Sequence, residues 1–330
     1  MSYRLSLLDQ SPLAEGQGPE AALAATLTFA REAERLGYHR LWVSEHHDSD
    51  RLAGSSPEVL IAWLLAQTSH LRIGSGGVML QHYSPYKVAE NFHLLASLAP
   101  GRVDLGVGKA PGGLPLATRA LQGVAGGRDD FPALLEQLTH YLNPPDPEQA
   151  GTEARALPTP ARPPERFLLG ASKESARLAA SLGWNFVFAG FINPAEAAMT
   201  GAILAYHEFS QGKGQALISL AAFAAETRQQ AGDLIAEQHN FRVTLGERHV
   251  TVGTLQQAEA FVRQSGASDY RIEKQPLAVL HGTAPAIHQQ LASLQQRLNV
   301  SEFILHTPLV DPGLRLRSIA LLAGQQVKEI

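Results

Sequence analysis

Residues 41–47, LWVSEHH, begin as an apolar strand and end on a glutamate and two histidines. The same abrupt change recurs in LRIGSGGVML (71–80), which breaks at Gly76 and Gly77, and in PGRVDLGVGKAPGG (100–113), which runs into Lys109. Where parallel strands alternate with helices, ligands and reacting groups gather at the carboxyl ends of the strands. Three neighbouring runs that end in His, Gly-Gly and Lys therefore mark one end of an α/β architecture as the functional end.

Outward from these runs, short β-rich segments alternate with stretches of helical period. The spacing predicts strands at 4–9, 40–44, 71–80, 103–107, 166–170, 185–189, 217–224 and 302–306. Between and after them fall helices at 19–36, from Pro57, after Pro85, and at 131–142, 172–182, 194–209 and 312–323, with a longer helical region following the seventh strand. Pro57 suits a first helical turn, and Gly37 suits a helix end. Eight alternations without an internal linker predict one (β/α)8 TIM barrel over residues 1–330. Insertions are expected after strands 4 and 7. The first, 143–165, is proline-dense and polar, a surface excursion. The second, 241–281, is placed to form a lid, a substrate wall or plain scaffold.

Composition narrows the function. The 330 residues are 45% hydrophobic and 18% charged, with a formal net charge of −4, so no basic field invites nucleic acid or an anionic membrane. The absence of cysteine excludes disulfides, thiolate nucleophiles and cysteine-ligated metals. MSYRLSLLDQSP lacks a secretory pattern, and no apolar run approaches the roughly 20 residues of a spanning helix. A cytoplasmic protein acting on small molecules is expected.

Each motif admits a functional and a structural reading. His46 and His47 follow a strand, so their side chains point in opposite directions and only one faces the barrel mouth. An imidazole there suits general acid–base chemistry near neutral pH, or else satisfies the loop backbone. Four adjacent residues, Glu45 to Asp48, make a poor metal set. Gly76 and Gly77 interrupt a buried strand, which marks close backbone approach by a flat ligand or tight barrel packing. Lys109 lies outside any P-loop pattern, but it can neutralise phosphate, with Ser172 and Ser175 adding hydroxyls and N–H groups at a helix start. The plain alternatives are a solvated lysine and an ordinary N-cap. Asp9 and Glu90 are acidic positions near the expected mouth, as substrate contacts or as structural carboxylates.

In order, EHH after the second strand, GSGGVML with SPYKVAEN (84–91), PGRVDLGVGKAPGG and LLGASKESARLAASLGWN (168–185) resemble the bacterial luciferase-like, flavin-dependent monooxygenases. The likeness runs from the first strand to about Ala189. It is weaker beyond, where GT-x-P (282–285) and the last strand follow the pattern. It is greatest to single-chain members of unassigned substrate, which begin with a similar SLLD-x-SP strand. The resemblance implies a barrel that binds FMN and oxidises a small organic substrate with reduced flavin and O2, through a flavin C4a-hydroperoxide. It implies a catalytic histidine at His46 and a non-prolyl cis peptide at Gly76–Gly77 beside the flavin ring. Phosphate contacts fall at Lys109, where the family usually has arginine, at Ser172 and Ser175, and at Arg128 as a second cation. No GxGxxG unit is present, so a separate flavin reductase is expected to supply electrons. Helices two and three are expected to form a homodimer face. The alternatives are an F420-dependent hydride-transfer oxidoreductase on the same barrel and a non-catalytic flavin-binding protein.

Overall fold

The computed structural model describes residues 3–123, 130–143 and 152–324. The chain first runs β1 (Arg4–Asp9), α1 (Pro19–Arg35), β2 (Arg40–Val43), α2 (Pro57–Gln67), β3 (Arg72–Ser75), β4 (Val78–Met79), α3 (Pro85–Leu98), β5 (Val103–Gly108), α4 (Pro115–Gln122) and α5 (Phe131–Leu142). Then follow β6 (Glu165–Gly170), α6 (Lys173–Ser181), β7 (Asn185–Ala189), α7 (Glu196–Ser210), β8 (Ala216–Ala224), α8 (Arg228–Ala236) and β9 (His239–Leu245). The last part holds β10 (Arg248–Val252), α9 (Leu255–Ser265), β11 (Arg271–Pro276), β12 (Leu280–Gly282), α10 (Ala284–Leu298), β13 (Glu302–His306) and α11 (Pro312–Leu322).

β1, β2, β3 with β4, β5, β6, β7, β8 and β13 pair in parallel around a closed ring, completed by the β7–β8 and β13–β1 ladders. This is the predicted TIM barrel. α1, α2 and α3 each start on a proline, whose fixed φ suits the first turn and whose missing N–H costs nothing there. Alternation along the strands divides the core in two. Leu8, Trp42, Phe167, Val187, Leu217 and Ile304 pack inside the barrel. Leu7, Leu41, Ile73, Leu105, Leu168 and Ile218 belong to the larger cluster formed with the surrounding helices.

Ionic groups fill the amino-terminal end of the barrel. Buried Arg40 meets Asp104 at 2.8 Å, Glu302 at 2.7 Å and Glu165 at 3.2 Å. Arg72 pairs with Asp104 and with Glu165, and Trp42 Nε1–H donates to Asp104 at 3.0 Å. Arg40, Arg72, Asp104, Glu165 and Glu302 each lie at the start of a strand or one residue after it. The plug leaves the carboxyl ends as the end at which a ligand can enter.

Three details depart from the sequence reading. The strand expected at 71–80 is two strands, β3 and β4, interrupted at Gly76–Gly77. The helical region expected after the seventh strand is mixed: β10, β9 and β11 form an antiparallel three-stranded sheet, and β12 pairs with β8 in the barrel sheet. Phe241, Val243 and Leu245, then Val250 and Val252, alternate with polar residues, a period-2 pattern too short on either side of Gly246 to outweigh the helical stretches around it. A further helix, α4, precedes α5. The sheet and α9 share a small core of Val243, Ala258 and Val262, and Gln264 Oε1 accepts from the Leu116 N–H of α4 at 3.0 Å. Loops that leave β5 and β8 therefore touch each other.

Candidate active site

The glycine pair, the lysine and the serines occupy consecutive strand ends. The Gly76–Gly77 peptide is cis. Register pairs Val78 with Val107 and Met79 with Gly108, which sets Gly77 beside Gly106. A Cβ on Gly76 would lie 2.7 Å from Leu8 Cδ1, and one on Gly77 would lie 2.9 Å from Gly106 O. Packing alone therefore requires both glycines. A Cβ on Gly108 would meet nothing closer than Met79 Sδ at 3.8 Å, so there the missing side chain leaves space.

Lys109 follows Gly108, is exposed and makes no salt bridge among the described residues. The pairing of Val107 with Leu168 sets Lys109 opposite Gly170, two residues before Ser172. Ser172 Oγ caps α6 by accepting the Ser175 N–H at 3.2 Å, and the two hydroxyl oxygens lie 3.4 Å apart. Ordinary capping and a hydroxyl-lined helix start are thus the same geometry. Arg128 lies outside the described residues.

His46 and His47 turn to opposite sides, as alternation requires. His46 is partly exposed, and the Gln10 amide nitrogen lies 3.3 Å from its Nε2. As oriented, Gln10 donates, which places the ring proton on Nδ1. Burial, then the nearby His47, lowers the His46 pKa to about 4. The expectation of an imidazole titrating near neutrality is corrected: dehydration disfavours its charged form. His47 turns away to Glu45 Oε1, 2.7 Å from its Nε2.

The sequence reading considered Glu45 only as a metal ligand. It is fully buried and accepts from Tyr83 OH at 2.8 Å and Met79 N–H at 3.1 Å as well as from His47. Burial, followed by the Glu45 charge, raises the Tyr83 pKa. The His47 N–H donates to Gly112 O at 2.8 Å, and His82 Nε2 donates to Pro111 O at 2.7 Å. The loop that carries Lys109 is thereby tied to the histidine segment. An acidic residue inside an otherwise apolar strand end was the available signal.

Asp9 pairs with buried Arg315 and accepts the Ser11 N–H at 3.2 Å, so it is a structural carboxylate. Glu90 pairs with Lys87 at 3.0 Å on the surface of α3. His306, at the end of β13, was not foreseen. Burial, then the Arg315 charge, lowers its pKa to about 4, and its ring lies 6.2 Å from that of Phe191.

One end of the barrel thus carries a cation, a capped helix start with two hydroxyls, glycine-lined strand ends and two neutral imidazoles, His46 on the strand next to the glycine pair and His306 two strands further round. This donor set fits a flat ligand with an anionic tail. The fold is that of a TIM-barrel enzyme, with these residues gathered at its carboxyl end.

The model of the luciferase-like monooxygenase family matches residues 3–298. An N-acetyl-S-alkylcysteine monooxygenase of Bacillus subtilis (strain 168) is 43% identical over 325 residues, 97% of each chain. The solved structure of apo-MsnO8 is 31% identical with a TM-score of 0.78, over 98% of this chain and 97% of that one. The oxygenating constituent of 3,6-diketocamphane monooxygenase from Pseudomonas putida, solved with FMN, shares the fold at 17% identity and a TM-score of 0.68, over 98% of each chain. The chain belongs to the luciferase-like monooxygenase family and is a flavin-dependent monooxygenase.

Proposed function

We propose that the chain uses reduced FMN, delivered by a separate flavin reductase, and O2 to oxygenate a small organic substrate in the cytoplasm. Thioethers of the S-alkylcysteine kind, named for the similar Bacillus protein, are the first class to test. The observation that carries the reading is the order of strand ends. Gly76–Gly77, Lys109 and Ser172 stand on adjacent strands, and His46 stands one strand further on.

Lys109 meets the FMN phosphate as a point charge, and Ser172 and Ser175 offer hydroxyls at the α6 start. A lysine lacks the bidentate fork of arginine, which makes this contact less directional. Arg128 is the second cation by family position. Gly76 and Gly77, closed in by packing, shape the strand end beside the ring, and Gly108 leaves it room close to the backbone. Bound FMN supplies the oxygen-activating chemistry. His46, held by Gln10 at Nε2, offers its Nδ1–H as a hydrogen-bond donor to the reacting centre, while the apolar residues inside the barrel keep water from it.

α2 is apolar on all sides: Leu60, Ile61, Leu64 and Leu65 face inward, while Val59 and Trp63 remain exposed. With exposed Leu94 and Leu98 of α3 they form a face suited to a second copy of the chain.

The test supplies the full chain with FMN, a flavin reductase, NADH, isotopically labelled O2 and S-alkylcysteine thioethers. The expected product carries one labelled oxygen, and omission of FMN or of the reductase abolishes it. F420 in place of FMN is expected to give none. Product formed without FMN, or product without label, overturns the proposal.

A further inference from the structure

We infer that His82 is a positioning residue for the phosphate end of the flavin site: it holds the loop that carries Lys109 and thereby sets how strongly FMN is preferred over riboflavin. The inference rests on the reading of Lys109 as the phosphate cation. It adds what keeps that cation in place.

His82 closes the short helical turn Leu80–His82 that follows β4, and it is only 2% exposed. The Pro111 carbonyl can only accept, so its oxygen, 2.7 Å from His82 Nε2, puts the ring proton on that nitrogen. Nδ1 then accepts, and the Gln122 amide nitrogen donates to it at 3.1 Å. The same amide donates to the Gln81 carbonyl at 3.3 Å, which fixes its orientation. Pro111 stands two residues after Lys109, and Gln122 is the last residue of α4. One buried ring therefore bonds both ends of the segment 111–122.

Little else fixes the lysine. Its side chain is exposed, and among the described residues the bond to Pro111 is the side-chain hydrogen bond nearest to it in sequence. Beyond Pro111 the chain is pressed against the histidine segment: a Cβ on Gly112 would lie 3.0 Å from Met79 Cγ, and one on Gly113 would lie 2.9 Å from His47 O. The ring of His47, itself bonded to Glu45, stands edge-on to that of His82 at 5.9 Å and 82°. His82 is thus backed by the buried carboxylate network on one side and joined to the loop on the other.

A lysine meets phosphate as a point charge, without the fork that would orient the pair. Its contribution then depends on where the backbone puts it. A loop already held costs no ordering on binding, whereas a released loop is ordered at the expense of affinity. Only a ligand with a phosphate engages the lysine, so that expense falls on FMN and spares riboflavin. A ring that served the fold alone would weaken both flavins together or neither.

The experiment is fluorescence titration of the full chain and its variants with FMN and with riboflavin. His82→Asn keeps an acceptor for Gln122 near the place of Nδ1 but does not reach Pro111. FMN affinity is expected to fall about 5-fold, within the range spanned by one lost hydrogen bond, while riboflavin affinity changes less than about 2-fold. His82→Gln carries an amide nitrogen about where Nε2 stood and is expected to restore the preference for FMN. Joined to Lys109→Ala, His82→Asn should add no further loss of preference, because both act on one contact. Gln122→Met, at the partly exposed end of α4, carries the same test if His82→Asn does not fold, and should lower the preference in the same direction. Equal losses for the two flavins, an unchanged preference in the folded variant, or losses that add to that of Lys109→Ala would overturn the role of His82. Failure of the phosphate reading is distinct: Lys109→Ala would by itself leave the preference unchanged. A preference lowered by Lys109→Ala but not by His82→Asn would retain that reading and remove the positioning role.

Discussion

Glu45 accepts three hydrogen bonds in the dark behind the strand while His46, its neighbour, faces the mouth, and the consequences of altering His46 and His47 differ accordingly. His46→Ala removes a positioned hydrogen-bond donor but leaves the Glu45 network intact. Turnover is expected to fall by roughly 100-fold, the scale of one lost preorganised donor at a reacting centre, with the melting temperature nearly unchanged. His47→Ala takes a donor from a fully buried carboxylate. Its expected effect is a loss of about 1–3 kcal/mol in stability, the cost of leaving a buried polar group unsatisfied, and a smaller loss in turnover. Rapid-mixing kinetics beside urea denaturation of the same two variants measures both. The opposite pattern, a stability loss at His46 and a turnover loss at His47, would reverse the assignment.

At the scale of elements, the decisive feature is a helix start set beside a loop that carries a cation. Ser172 caps α6 by its own side chain, and the Lys109 loop is held by His47 and His82. Ser172→Ala is expected to lower stability by about 1 kcal/mol, as loss of a cap does, and to weaken FMN more than riboflavin, which lacks the phosphate. Lys109→Ala should weaken FMN selectively without the stability loss, because the lysine side chain is exposed. Fluorescence quenching titrations with the two flavins measure the difference. Equal losses for both flavins in both variants would remove these residues from phosphate binding.

For the whole molecule, buried imidazoles set a pH dependence. His46 and His306 titrate at about 4 in the folded chain, against about 6.5 when unfolded. The unfolded chain therefore binds more protons between those values. Stability is fully present above about pH 6.5 and is lost as pH falls toward 4. Burial also lowers the His39 pKa, which adds in the same direction. Glu58, whose pKa burial raises, works against this trend, since its contribution is lost as pH rises. Urea midpoints are expected to drop from pH 6.5 to 4.5, and His306→Phe should flatten that slope. An unchanged slope in the variant would mean that His306 is not dehydrated in solution.

Much of this molecule was legible in the chain because local rules agree with one another. Period-2 runs, prolines at helix starts and eight alternations determined a barrel, and the abrupt endings in His, Gly-Gly and Lys located its functional end. The neutral state of His46, the carboxylate hub at Glu45 and the nearness of His306 to His46 were decided only by the tertiary structure. The antiparallel sheet after β8 was likewise settled by pairing, since its strands are read as such only beside their partners. The physical reason is common to all of these. Desolvation and strand neighbours depend on which distant segments are brought together, and residues 9, 46, 306 and 315 are distant in sequence until the barrel closes.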